Sequence, residues 1–238
     1  MQSSQPGVVV LDSVDAHRGD RLALDGVSIA VPMGSIAAVM GPNGSGKSTL
    51  FGVISGRLRH STGSVSVGGE VAEVLQTGGI DTHLPLTVED VVRQGRYRSR
   101  GLLRPMTRDD QRLIREAIDV VDLAAHRRTP IHALSGGQRQ RAFLAQGIAQ
   151  QSPILLLDEP TAGVDVNTQT RVAEVVRSIA ASGTTVMIST HSLDDAVQCD
   201  LMVALAGRCL CCAPPAEALD DPEVAELLSP HTSPYVKR

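Results

Sequence analysis

Eight consecutive residues, Gly41-Pro42-Asn43-Gly44-Ser45-Gly46-Lys47-Ser48, constrain this chain more than any other feature. The apolar run Ser35-Ile36-Ala37-Ala38-Val39-Met40 leads straight into them, and Leu50, Val53 and Ile54 carry an apolar helical spacing away from them. A buried-type strand that turns through glycines into a helix is the opening of an α/β unit. The spacing G-x-x-x-x-G-K-S lets the backbone curl with its N–H groups facing inward. Gly41, Pro42, Asn43, Gly44, Ser45 and Gly46 then form a cradle for a string of phosphates at a helix N-terminus. Lys47 sets a positive charge against the β- and γ-phosphates, Ser48 offers a hydroxyl to Mg²⁺, and Thr49 is placed for a further phosphate oxygen. A glycine-rich turn with an accidental Lys-Ser is the plainer alternative, and the flanking strand and helix argue against it.

The rest of the chain keeps the same alternation. Val8–Leu11, Val27–Val31, Ile154–Leu157 and Thr184–Ser189 read as strands, and the unbroken aliphatic run before Asp158 suits a central strand covered on both faces. A mostly helical block runs from about Thr87 to Gln150. In it Thr107 caps a helix with Asp109 and Asp110 in its first turn, and Leu113, Ile114, Ala117, Ile118 and Val121 form one apolar face. A further helix runs near Asn167 to Ser182, with Val172, Val175, Val176 and Ile179 inward and Gly183 as its stop. Residues 216–228 read as a peripheral helix. Aromatic residues are only 2% of the chain and Trp is absent, so the core has to be built from Val, Leu, Ile and Ala.

A net charge of -4 projects no broad positive field, which disfavours nucleic acid as a partner. No apolar run reaches 18 residues, so no segment is expected to span a bilayer. Met1 to Pro6 carry neither the charged nor the apolar region of a signal peptide, and the cytosol is the expected compartment.

Two further motifs carry chemistry. Asp158-Glu159 ends a core strand: Asp158 suits Mg²⁺, directly or through water, and Glu159 suits polarising a water for attack on the γ-phosphorus. A solvated strand edge is the bland reading of the pair, and the phosphate loop outweighs it. Leu134-Ser135-Gly136-Gly137-Gln138 places a capping serine and two glycines at a helix start, a second anion site far from the first in sequence.

With that second motif the chain resembles the ABC ATPase family, whose signature reads LSGGQ, over nearly its whole length, from about Val8 to Leu219. The resemblance implies a P-loop NTPase of the ABC-ATPase fold: a RecA-like core with an antiparallel β subdomain and an inserted helical subdomain. One domain would then cover 7–219, its core and β subdomain at 7–86 and 151–219, its helical signature subdomain at 87–150, and a peripheral tail at 220–238. It implies ATP and Mg²⁺ as cofactors, and a second copy of the chain bound head-to-tail, with Ser135, Gly136, Gly137 and Gln138 on the γ-phosphate held by the partner's loop. It also implies that Gln76 senses Mg²⁺ and the attacking water, that Asp165 lies near the dimer interface, and that His191 contacts the γ-phosphate. The remaining implied partners are an integral membrane permease, which would hold the chain at the cytoplasmic face of the membrane, and, indirectly, an extracytoplasmic solute-binding protein.

The sequence departs from the family pattern twice. Where relatives place an aromatic side chain against adenine, it has Ala16-His17-Arg18, leaving Arg18 or His17 to stack on the base as a planar cation or imidazole. His191 is followed by Ser192 where many relatives have Asp. The stretches Leu84–Val92, Gly95-Arg96-Tyr97 and Gly101–Pro105 resemble the ATPases of zinc and manganese importers, with iron–siderophore and cobalamin importers as the neighbouring reading. A soluble cluster-assembly ATPase, or a P-loop protein that binds nucleotide only as a switch, are the competing classes. Cys209, Cys211 and Cys212 suggest a thiolate metal site. A hairpin around Gly207 with cysteines acting as small apolar residues is the favoured reading, because adjacent strand residues face opposite ways.

Overall fold

The computed structural model describes residues 7–74, 85–100 and 105–228. Gln76, Leu84 and residues 101–104 lie outside the described residues. In chain order the strands are β1 (Gly7–Arg18), β2 (Arg21–Pro32), β3 (Ile36–Met40), β4 (Thr62–Val67), β5 (Val71–Val74), β6 (Ile154–Asp158), β7 (Thr185–Ser189), β8 (Leu201–Leu205) and β9 (Cys209–Ala213). The helices are α1 (Lys47–Ile54), α2 (Val88–Arg100), α3 (Arg108–Val120), α4 (Gly136–Ala149), α5 (Val166–Ala181), α6 (Leu193–Ala196), α7 (Pro215–Leu219) and α8 (Pro222–Leu228), with 3₁₀ turns at Ala124–His126 and Ile131–Ala133.

The strands form two sheets. A six-stranded sheet runs β5-β6-β7-β3-β8-β9 and is parallel except at β9, while a three-stranded antiparallel sheet runs β2-β1-β4. β3, β6 and β7 are almost wholly buried, as their aliphatic runs require. Phe51 and Leu50 of α1 are fully enclosed between the two sheets, among Leu11, Leu24, Val39 and Leu156. The opposite face of the large sheet packs on α2 to α5 through residues such as Ile114, Ile118, Phe143, Leu155 and Val176.

β1 and β2 are twelve residues each, much longer than their apolar cores suggest. Register shifts at Leu11/Val14 and Val14/Ala16, with Ser13 at φ 50°, break the alternation that would have marked the full strands in the sequence. The helix read over residues 216–228 is instead two short helices separated before Pro222. It is not merely peripheral, because Ala218 and Val224 are fully buried against Met202 and Ala204.

The parallel arrangement brings the ends of the central strands together. Asp158 of β6 pairs with Ser189 of β7, and Val39 of β3 pairs with the same Ser189 on the other side. The loop after β3 therefore opens beside the acidic end of β6.

Candidate functional site

The glycine loop leaves β3 at Gly41, and only glycine fits there. Its φ is +148°, and a Cβ would overlap the Leu205 carbonyl oxygen. Gly46, at φ +105°, closes the loop with Ala23 and Leu24 packed so near that a Cβ would come within 2.6 Å of the Ala23 oxygen. The loop is braced from outside by the β8–β9 turn: Gly207 N–H donates to the Ser45 carbonyl at 2.8 Å, and Asp25 N–H donates to the Gly207 carbonyl at 2.8 Å. α1 starts at Lys47 with no side-chain cap, so its first N–H groups point into the loop. The Ser45 hydroxyl is buried there without a hydrogen-bond partner. An uncapped helix start, a loop whose Gly41 and Gly46 admit no Cβ and an orphaned buried hydroxyl together fit a phosphate chain.

Lys47 reaches back over the loop and donates from Nζ to the Gly41 and Pro42 carbonyls at 2.7 and 3.2 Å. Burial lowers its pKa, and the Glu159 and Asp158 carboxylates partly offset this. The adjoining cavity, about 220 Å³, is lined by Arg18, Arg21, Asn43, Lys47, Ser48 and Glu159, among others. Arg18 lines this cavity and His17 does not: its Nδ1 lies 3.4 Å from the Ser61 hydroxyl instead. Arg21 is a second guanidinium that the sequence reading missed. It stands opposite Arg18 across the Gly19-Asp20 hairpin turn, and among the described residues neither arginine has an acidic partner. Like charges directly opposite on a hairpin repel, so the pair favours an anionic occupant.

The acids are held by Ser189, which is fully buried and whose link to them no motif in the sequence carries. Ser189 Oγ donates to Asp158 Oδ1 at 2.5 Å and accepts from Glu159 N–H at 2.9 Å. This leaves Asp158 Oδ2 facing the Ser48 hydroxyl at 3.5 Å. A hydroxyl and a carboxylate oxygen so placed fit Mg²⁺, which takes one or two protein oxygens beside substrate phosphates. Glu159 is held at φ +49°, a left-handed conformation costly for a residue with a Cβ, and its Oε1 lies 2.8 Å from His191 Nε2. Such strain at the end of a core strand aims one side chain away from the strand's own alternation.

The signature forms the N-terminus of α4. Ser135 is the cap: its hydroxyl accepts from Gln138 N–H at 3.2 Å, and Gln138 Oε1 accepts from Ser135 N–H at 2.9 Å. Ser135 and Gly136 are exposed. None of Ser135, Gly136, Gly137 and Gln138 lines the cavity beside Lys47. Asp165 caps α5, accepting from Thr168 N–H at 3.1 Å and from its hydroxyl at 2.8 Å, with Gly137 packed close to the same Thr168. Within one chain the phosphate loop, Arg18, Asp158, Glu159 and His191 are brought together, and the signature and Asp165 form a separate surface.

Among the described residues no group of three or more His, Cys, Asp or Glu is arranged to hold an ion. Cys209 and Cys212 pack toward the core between the sheets while Cys211 packs toward α7 and α8, and burial pushes Cys209 up to about 12.

The model of the ABC transporter family matches residues 24–162. The chelated iron transport system membrane protein YfeB of Yersinia pestis is 37% identical over 221 residues, 88% of this chain and 75% of that one. The manganese transport system ATP-binding protein MntA of Synechocystis sp. (strain ATCC 27184 / PCC 6803 / Kazusa) is 41% identical over 187 residues, 74% of this chain and 72% of that one. Among solved structures, an inward-facing metal-chelate type ABC transporter aligns with a TM-score of 0.84 at 25% identity, covering 92% of this chain and 88% of that one.

Proposed function

This chain belongs to the ABC transporter family, as the ATP-binding and ATP-hydrolysing subunit of an importer, and on that premise we propose that it powers the uptake of a transition-metal ion. Manganese or zinc is the favoured cargo. The relative named for chelated iron supports a metal chelate as the second reading. No helix among the described residues is long and apolar enough to cross a membrane. On the family membership, the pore is assigned to a permease that holds this chain at the cytoplasmic face, with an extracytoplasmic solute-binding protein delivering the metal.

The observation that carries the ATPase cycle is the separation of two anion-binding helix ends in one chain. The loop at Lys47 has a cavity that the signature does not enter, and Ser135 and Gly136 stand exposed elsewhere. Two copies related head-to-tail complete each other's sites, so ATP joins them. In each site Lys47 and the loop N–H groups hold the triphosphate, and Arg18 with Arg21 faces the nucleoside end. Ser48 and Asp158 would hold Mg²⁺, which would supply charge neutralisation for phosphoryl transfer. Glu159, aimed by Ser189 and His191, orients the attacking water and accepts its proton. Gln76 is assigned to the same water and to the permease surface on the family resemblance, and Asp165 to the dimer interface.

Glu159→Gln tests the assignment. The variant should bind ATP, lose steady hydrolysis and run as an ATP-dependent dimer in light scattering. A variant that turns over ATP like the wild type removes Glu159 from the water-handling role. Cargo is decided by ATP-dependent uptake into vesicles carrying the co-purified permease, with ⁵⁴Mn²⁺, ⁶⁵Zn²⁺ and a ⁵⁵Fe chelate offered separately.

A further inference from the structure

We propose that His126, which lies in none of the motifs above, is a positioning residue for the signature and joins it to the segment that opens the helical block. The inference rests on the reading of Ser135 to Gln138 as the γ-phosphate contact of the partner copy.

Hydrogen-bond bookkeeping carries the argument. Ser135 N–H can only donate, and its partner is the Gln138 side chain at 2.9 Å, so the atom there is the Gln138 carbonyl oxygen. The amide nitrogen of Gln138 is thereby turned to His126, with 3.1 Å between it and His126 Nε2. An amide nitrogen donates and does not accept, so His126 Nε2 must present its lone pair and the ring proton resides on Nδ1. One imidazole lone pair thus selects the Gln138 rotamer that closes the capping box. Bulk is not what His126 contributes: it is half-buried, and no residue of its 3₁₀ turn Ala124–His126 is buried.

The other side of His126 is tethered. Arg127 Nε donates to Glu89 Oε2 at 2.7 Å, Glu89 N–H donates to the Arg127 carbonyl at 3.0 Å, and Val88 N–H donates to the Thr129 carbonyl at 3.1 Å. Ile131 N–H donates to the Leu86 carbonyl at 2.8 Å, and Thr87 bridges to Pro130. Residues 127–131 are therefore zipped to residues 86–89, the stretch that enters α2. His126 is where this zipped pair meets the signature cap. A displacement of the 86–89 segment moves the turn that holds Gln138, and with it Ser135.

The test compares His126→Gln, His126→Ala and His126→Lys, alone and with Glu159→Gln, after melting curves establish that each is folded. Gln keeps an acceptor oxygen, Ala removes it, and Lys sets a donor against a donor. Monomer affinity for ATP·Mg²⁺, measured by calorimetry, should stay constant through the series, because the phosphate loop is untouched. Loss of one hydrogen bond is worth about five-fold per site, so with two sites the ATP-dependent dimerisation constant should fall about 25-fold in the Ala and Lys variants. Turnover falls with it, and the Gln variant stays near wild type. Equal dimerisation of the Ala and Gln variants, or an order that follows side-chain volume, overturns the role of His126 while the ATP-dependent dimer stands. If Glu159→Gln alone forms no ATP-dependent dimer, the head-to-tail reading fails first and takes this inference with it.

Discussion

At the scale of single residues, the site is organised by groups that act on other groups. Ser189 has one hydroxyl and uses it twice, to orient Asp158 and to hold the backbone of Glu159. Ser189→Ala should therefore lower kcat by about 10–100-fold, the usual cost of losing a group that orients a ligating carboxylate. KM for ATP should change little, and phosphate release under saturating and limiting ATP separates the two. Lys47 carries a pH signature. Its folded pKa lies below the ordinary lysine value because burial disfavours the ammonium. Between the lowered value and about 10.4 the unfolded chain binds more protons than the folded one, so stability without nucleotide rises as pH rises. ATP affinity falls over the same range as the charge is lost. Urea midpoints and ATP binding measured from pH 7 to 10 should move in opposite directions, and Lys47→Met should remove both trends relative to wild type.

At the scale of elements, the edge strand β9 shows how packing decides chemistry. A bulge at its register with β8 puts Cys209 and Cys212 on one face and Cys211 on the other. Burial raises all three thiols, Cys209 to about 12, which disfavours the thiolate form needed for nucleophilic attack. Iodoacetamide at pH 8 should leave Cys209 unmodified in the folded protein and label it in urea, read by peptide mass. Conversion of Cys209, Cys211 and Cys212 together to Ala should leave ATP turnover at the wild-type level, and a loss of metal-dependent turnover in that variant would restore a sensing role. The strand's contribution to the site is mechanical: its turn, through Gly207, braces the Ser45 carbonyl of the phosphate loop.

At the scale of the whole molecule, α1 packs between the two sheets, and a buried charge ties the turn after it to the large sheet. Glu73 of β5 is almost fully enclosed, and Arg57, from the turn after α1, binds it through both guanidinium contacts while half-exposed itself. Arg57→Ala should destabilise the protein by about 1–3 kcal/mol, because it strands a buried carboxylate. Glu73→Leu in that background should return most of the loss, since an apolar side chain in place of an unpaired buried charge is near neutral. Urea denaturation of the single and double variants measures both.

The strand–loop–helix at Gly41–Ser48, the strand end at Asp158-Glu159 and the capped helix start at Ser135–Gln138 were legible without coordinates. Their chemistry depends on contiguous backbone, and glycine, a capping serine or a run of aliphatic residues dictates local conformation by itself. The same held for the α/β alternation, for the apolar face of α3 and for the helix ending near Gly183. The partners of those motifs were not legible. Ser189 meets Asp158 only through the parallel register of β6 and β7, Arg21 faces the cavity only because the hairpin pairs it with Arg18, and His126 finds Gln138 only when the chain folds back on α2. Short-range sterics and hydrogen bonding belong to neighbours in sequence. Register and fold-back belong to the burial of whole faces, so tertiary packing alone decided which side chains complete the site.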